Sequence, residues 1–317
     1  MIPVTVITGF LGSGKTTLIN RLVRDPAMGD AAVLVNEFGE IGLDHELVEH
    51  VDETTVLVGA GCLCCSLRGE LVAGIKTLLA RRAQGAVPAF GHLLIETTGL
   101  ADPAPVLHTL LADDTLKRAC RPAGVVTTVD ALHGGEQLDR NPESLRQATA
   151  ADRIVLTKTE LAGERDLQRL RARLLELNPG AGICEGPVTP AILLSGAPEN
   201  TARWLDAAKT ALAHDPRIGS VSLETEVPLG AHHLVAWIER TMALCGDRLL
   251  RFKGIAHLEG CAAPVAVHGV QHVFHPLERL HGWRGAAPRT RMVLIGENLP
   301  RSRLETGFAD LVARCSH

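Results

Sequence analysis

Residues Gly9 to Thr16 read Gly-Phe-Leu-Gly-Ser-Gly-Lys-Thr, a complete GxxxxGK[ST] pattern placed directly after an apolar run of β type, Pro3 to Thr8. Gly9, Gly12 and Gly14, with Ser13 between them, allow successive backbone N–H groups to turn toward one anion. Lys15 then reaches the β and γ phosphates of a nucleoside triphosphate, and the Thr16 hydroxyl suits Mg²⁺. A helix starting near Thr17 adds its N-terminal field to the same phosphates. Strand before and helix after are the context in which this spacing does its chemistry.

Three further constellations follow at the ends of apolar runs. Glu96-Thr97-Thr98-Gly99 closes His92 to Ile95, where an acid can hold Mg²⁺ through water and the Gly99 N–H can sense a terminal phosphate. Thr157-Lys158-Thr159-Glu160 closes Arg153 to Leu156 and resembles the [NT]KxD base-reading motif of GTPases. Its carboxylate would accept from two N–H donors on the guanine edge while the Lys stem lies over the ring; adenine presents an acceptor there instead. Glu160 stands where that motif has Asp, so both acceptors are kept and their aim is looser. Gly61-Cys62-Leu63-Cys64-Cys65-Ser66 gathers three thiols within four positions between a strand and a helix start. Clustered thiols at such a place suit a soft or borderline metal, Zn²⁺ foremost, with Co²⁺ or Ni²⁺ as alternatives. In extended backbone Cys62 and Cys64 point one way and Cys65 the other. At most two readily share an ion, which leaves a coordination position open for transfer.

The segment Asn36-Glu37-Phe38-Gly39-Glu40-Ile41-Gly42-Leu43-Asp44 occupies the position of a first switch. Its acids suit Mg²⁺, the attacking water or a thiolate-bound metal. Sequence does not divide these jobs; Glu37 is a candidate for the hydrolytic chemistry and Glu40 for the metal. A segment ordered around a γ phosphate would couple nucleotide state to the cysteines. Asp130, at another strand end, is suited either to Mg²⁺ or to starting the next turn.

Positioning these groups requires strands that end on one edge. Runs rich in Val, Leu and Ile recur at Pro3–Thr8, Ala31–Asn36, Thr54–Val58, His92–Glu96, Gly124–Val129, Arg153–Thr157 and Ala191–Ser195. Helical stretches at Thr17–Val23, Glu70–Gln84, Pro103–Leu111 and Glu164–Leu177 lie between several of them. The pattern predicts an α/β domain with a mostly parallel sheet flanked by helices, ligands gathering at the carboxyl ends of its strands. Texture changes after Trp204–Ala213 at a polar connector, His214 to Gly219, giving domains 1–213 and 220–317. The second reads as a small α+β unit: strand Ser220–Val227, helix Gly230–Cys245 with Val235, Ile238 and Met242 on one face and Gly246 as its stop, strands Leu249–Leu258, Pro264–Phe274 and Arg289–Ile295, and a helix at Arg301–Ala313.

The chain has 317 residues, 46% hydrophobic and 21% charged, with net charge −4 and no basic stripe. This argues against nucleic-acid and membrane-surface partners. No apolar run approaches the ~18 residues of a spanning helix, and the start lacks a basic leader or signal core, so a cytoplasmic location is expected. Eight cysteines then read as thiols for metal or redox work. His257, His268, His272, His275 and His281 lack tight ligand spacing, His232-His233 near a helix start reads as structural, and Cys120, Cys184, Cys245, Cys261 and Cys315 are isolated and receive no role.

The order GFLGSGKTT, NEFGEIGLD, GCLCC, ETTG and TKTE, followed by Arg251-Phe252-Lys253-Gly254 and His268-Gly269-Val270-Gln271, resembles the CobW-type GTPases of the CobW/HypB/UreG metallochaperone group over essentially the whole chain. The resemblance implies a P-loop NTPase domain and GTP hydrolysis with Mg²⁺, coupled to insertion of zinc or another transition metal into a client metalloprotein. It carries over phosphate and Mg²⁺ binding to Gly12–Thr17, the ExxG element to Glu96 and Gly99, base reading to Lys158 and Glu160, and the metal motif to Cys62, Cys64 and Cys65. The His-rich tract of many relatives is absent here. Oligomeric state stays open, a homo-oligomer included. Competing readings are a phosphate-loop kinase or ligase with a structural ion at the cysteines, and a regulatory switch without metal cargo.

Overall fold

A computed structural model describes residues 1–28, 30–36, 56–59, 67–186, 188–194, 218–283 and 287–316. Glu37, Glu40, Asp44, Cys62, Cys64 and Cys65, and the stretch Trp204–Arg217, lie outside the described residues. The chain divides into two compact units, Met1–Arg173 with Ala181–Gly196, and Leu174–Gly180 with Ala197–His317.

The first unit is built on seven strands: β1 (Ile2–Gly9), β2 (Ala31–Asn36), β3 (Val56–Gly59), β4 (His92–Thr97), β5 (Cys120–Asp130), β6 (Arg153–Thr157) and β7 (Gly182–Glu185). They pair in the order β3-β2-β4-β1-β5-β6-β7, every pairing parallel. Central strands of such a sheet are covered on both faces, which is why β1, β4 and the second half of β5 are buried at successive residues rather than at alternate ones. Val4, Val6, Ile7, Leu93, Leu94 and Ile95 are all fully buried. The helices are α1 (Lys15–Val23), α2 (Leu67–Ala83), α3 (Ala104–Ala112), α4 (Asp114–Ala119), α5 (Gly134–Arg140), α6 (Pro142–Ala150), α7 (Glu164–Leu177) and α8 (Pro190–Leu194). From α1, Leu18, Ile19 and Leu22 pack into one core with Ile7, Val33 and Leu94 of the sheet.

One expectation is overturned here. Ala191–Ser195 was expected as the seventh strand; Pro190–Leu194 is instead α8, and the strand is Gly182–Glu185. Proline at the first helical position has its φ preset for a helix and loses no bond there. The strand Gly-Ile-Cys-Glu lies on the sheet's margin, half-buried, and so carries no apolar run to reveal it.

The start of β4 holds a pH-sensitive contact. His92 Nε2 and Thr5 Oγ1 of β1 are 2.9 Å apart. Burial, with the nearby Arg121 charge, lowers the His92 pKa to about 4, against a smaller opposing pull from Asp30. The unfolded chain therefore binds a proton near pH 6.5 that the folded chain refuses until about pH 4. Stability from this group is fully present above pH 6.5 and falls as pH drops toward 4. Urea midpoints measured across that window should decline in the native chain and decline less steeply in His92→Gln.

In the second unit β8 (Ile218–Thr225), β9 (Leu249–Ala256), β10 (Val265–Val270), β11 (Val273–Phe274) and β13 (Thr290–Glu297) form an antiparallel sheet in the order β11-β10-β9-β13-β8, with β12 (Glu278–Arg279) pairing β10. Helices α9 (Ala231–Cys245) and α10 (Arg301–Cys315) contribute Leu234, Trp237, Ile238, Leu304, Phe308 and Leu311 to a core with Phe252, Val267 and Leu294. Trp237 meets Phe308 edge-on at 5.4 Å. Of the three residues expected on one face of α9, Ile238 is buried in this core and Met242 packs against it, while Val235 points away. Leu234, Trp237, Ile238 and Thr241 are buried, whereas Val235 is 42% exposed and Met242 only partly covered. Trp237 decides this, since its large apolar surface outweighs that of Val235. Gly246 ends the helix at φ 54°. Strand β8 begins at Ile218, inside the expected connector, and the single expected strand Pro264–Phe274 is two strands turning at Gln271-His272.

Candidate functional site

The loop between β1 and α1 turns through positive φ at Gly9 (144°), Gly12 (72°) and Gly14 (88°). A Cβ on Gly9 would collide with the Thr128 side chain and carbonyl, so no larger residue fits there. Two neighbouring strands lock the loop in place. Ser13 Oγ shares a 2.6 Å hydrogen bond with Thr128 Oγ1 of β5, and Thr157 Oγ1 at the end of β6 donates to Ser13 O at 2.8 Å. Gly14 caps α1 without a side-chain acceptor. The first-turn N–H groups have no intrahelical acceptor either, which makes this terminus an anion cradle. Lys15, 8% exposed, donates from Nζ to Gly9 O at 3.0 Å and Phe10 O at 3.3 Å. The ammonium thus sits at the loop mouth on carbonyls that phosphate oxygens can replace.

Glu96 ends the buried part of β4 at 5% exposure and accepts from Thr16 Oγ1 at 3.1 Å. Thr97 Oγ1 donates to Thr8 Oγ1 at 2.8 Å, tying β4 to β1 just below the loop. Two hard oxygen donors, the Thr16 hydroxyl and the Glu96 carboxylate, so meet beside the phosphate cradle, the chemistry that fits Mg²⁺. Gly99 packs against the loop from the other side. A Cβ there would stand 2.5 Å from Leu11 Cδ2 and 2.8 Å from Leu11 Cα.

Sequence reading missed what holds the Gly99 turn. Gln147 of α6, 1% exposed, donates through Nε2 to Gly99 O at 3.1 Å and Ala101 O at 3.0 Å. No local signal marks a glutamine 48 residues downstream as the clasp of this turn. Gln147→Met removes both donations, each worth ~0.5–1.5 kcal/mol. Turnover should fall about tenfold, the kinetic equivalent of ~1.4 kcal/mol, while GDP affinity, which involves no terminal phosphate, changes less than about threefold. A parallel loss of GDP binding would show a general unfolding effect instead.

At the far end of the loop, Lys158 adopts a left-handed backbone (φ 54°) and opens a short 3₁₀ turn over Thr159–Leu161, on which Glu160 is exposed. Lys158 Nζ pairs with Asp130 Oδ2 at 2.6 Å. Burial works to raise the Asp130 carboxyl. The Lys158 hydrogen bond, with N–H donations from Leu132 and His133, outweighs it and holds the group below the ordinary carboxylate range. Asp130 therefore starts the turn into α5 and steadies the lysine, the second of its two expected roles.

The structure brings Gly9, Gly12, Ser13, Gly14, Lys15, Thr16, Thr17, Glu96 and Gly99 around one loop mouth, with Thr157 bonded to it and Lys158 and Glu160 following directly. Since β1 to β4 pair in parallel, the carboxyl ends of β2 and β3 lie on the edge that bears this loop; Glu37, Glu40 and the three cysteines lie outside the described residues.

The profile of the CobW/HypB/UreG nucleotide-binding domain matches residues 3–185, and that of the cobalamin synthesis protein cobW C-terminal domain matches residues 218–312. The chain is 32% identical over 320 residues to the zinc chaperone YjiA of Escherichia coli, covering 98% of each. It is 29% identical to the zinc chaperone CobW of Pseudomonas aeruginosa, covering 96% of this chain and 89% of that one. The crystal structure of Zn(II)-bound YjiA GTPase from E. coli superimposes with a TM-score of 0.70 at 28% identity, covering 98% of both chains.

Proposed function

The chain belongs to the CobW/HypB/UreG family, and from that premise we propose that it is a GTP-hydrolysing metal chaperone which holds a divalent transition metal, zinc foremost, at Cys62, Cys64 and Cys65 and releases it to a client protein under nucleotide control. The observation that carries the reading is the phosphate loop itself, with the Lys15 ammonium resting on the Gly9 and Phe10 carbonyls and the Thr16 hydroxyl donating to Glu96. Full-length similarity to proteins named zinc chaperones supports the cargo.

In this reading Lys15 exchanges the Gly9 and Phe10 carbonyls for β and γ phosphate oxygens, and the α1 amides spread the remaining charge. Mg²⁺, held by Thr16 and through water by Glu96, would neutralise charge developing on those phosphates. Gly99, on its Gln147 clasp, reports whether the terminal phosphate is present. Glu37 belongs with the attacking water and Glu40 with the cargo. We place the domain boundary ahead of Ile218, where β8 opens the second domain. Among the described residues no helix is long and apolar enough to cross a membrane, and we place the protein in the cytoplasm.

Lys158 and Glu160 select guanine. Charge-assisted hydrogen bonds are worth ~1.5–3 kcal/mol, so Glu160→Ala should weaken GTP about 10- to 100-fold and leave ATP unchanged, read by competition against a fluorescent nucleotide. An unaltered GTP-to-ATP ratio would remove Glu160 from base reading. Turnover assays with small-molecule acceptors test the whole assignment: free phosphate is expected, and a phosphorylated acceptor would point to a kinase or ligase.

A further inference from the structure

Cys315, close to the chain end, and His233, in the first turn of α9, are 82 residues apart in sequence and adjacent in the fold. Cys315 Sγ lies 3.7 Å from His233 Nδ1 and accepts from Gly230 N–H at 3.3 Å. The His232 and His233 rings lie with centroids 3.8 Å apart and planes tilted by 42°. A side-chain carbon on Gly230 would stand 3.1 Å from His233 Nδ1 and 3.6 Å from His232 Nδ1, so both ring nitrogens face the space that this glycine leaves open. His232 is exposed, and His233 and Cys315 are half-buried, so the cluster is reachable from solvent.

We propose that Cys315, His233 and His232 form an exchangeable binding site for a borderline divalent cation such as Zn²⁺, additional to the one proposed at Cys62, Cys64 and Cys65. The distance carries the argument. A tetrahedral zinc with Zn–S of about 2.3 Å and Zn–N of about 2.0–2.1 Å separates its sulfur and nitrogen ligands by about 3.6 Å, close to the observed 3.7 Å. The pair needs almost no movement to share an ion. Among the described residues no three such donors already stand at coordination distance from one point. The third ligand is His232, whose exposed ring turns at low cost. The Gly230 N–H on sulfur is the kind of outer contact that orients a metal-bound thiolate. Thiol with imidazole favours zinc-like ions over Mg²⁺ or Ca²⁺. With water completing the coordination, the site is open and suited to taking up and passing on an ion rather than to bracing the fold.

The test uses full-length protein carrying Cys62→Ser, Cys64→Ser and Cys65→Ser, titrated with Co²⁺ as a spectroscopic probe and then with Zn²⁺ in competition. Of the remaining thiols Cys120 and Cys245 are buried, and Cys184 and Cys261 are half-buried. One equivalent of Co²⁺ with a thiolate-to-metal charge-transfer band is expected, displaced by Zn²⁺ and insensitive to nucleotide. Adding Cys315→Ser should abolish the band, and His233→Ala should weaken binding at least tenfold at an unchanged melting temperature. Absence of the band in the parent, its survival in Cys315→Ser, or indifference to His233→Ala would each overturn the proposal. None of these outcomes bears on the phosphate loop, so the proposed GTPase function stands or falls separately.

Discussion

Lys15→Ala is expected to lower GTP turnover by about 10²–10³-fold, the usual cost of removing one preorganised donor aimed at developing charge. The native ammonium is buried and held on two loop carbonyls at 3.0 and 3.3 Å, so it is already in place when phosphate arrives. In so dry a site a positive charge acts more strongly than it would in water. Alanine leaves the loop's turns intact, because these depend on Gly9, Gly12 and Gly14 and on the Thr128 and Thr157 hydroxyls. Single-turnover phosphate release checks the claim, with thermal melting as the control for folding. A change of less than about threefold would mean that the loop does not do the chemistry assigned to it.

Cys64→Ser should cost at least about a hundredfold in zinc affinity with a GTP analogue bound, and change GTP turnover in the absence of metal by less than about threefold. The serine hydroxyl stays protonated at neutral pH and is a hard donor, whereas zinc binding at such a site depends on thiolate sulfur. Competition with a chromogenic chelator measures the affinity. Retained affinity would shift the cargo site away from the trio. The Cys315 cluster gives such an experiment a background, which the same titration on Cys64→Ser,Cys315→Ser subtracts.

The phosphate loop and the strand ends around it were legible in sequence because the chemistry they suit is local. Phosphate binding needs consecutive amides and a lysine at fixed spacing, and a buried parallel strand needs an unbroken apolar run, so Gly9–Thr16, Glu96 and Thr157–Glu160 could be placed on their strand ends without coordinates. Elements whose identity rests on tertiary surroundings were less legible. An apolar stretch as short as Ala191–Ser195 has no periodicity to separate helix from strand, and marginal strand β7 shows too little buried surface to be seen. The inward face of α9 turned on Trp237, whose packing against Phe252 and Phe308 exists only once β9 and α10 are assembled. Contacts between distant residues left no trace in the sequence. Gln147 on the Gly99 turn, Asp130 on Lys158 and Cys315 on His233 each join groups whose separation in the chain obeys no motif.

The central claim is that the metal site senses the terminal phosphate. Coupling between two sites is reciprocal, and for ordinary allosteric pairs amounts to about 5–150-fold in affinity. Zinc titration of the purified protein, with saturating non-hydrolysable GTP analogue in one series and GDP in the other, measures it directly. The account predicts a zinc dissociation constant at least about fivefold lower in the GTP-analogue state, with the difference lost in Cys64→Ser. Equal zinc affinity in the two nucleotide states would contradict it.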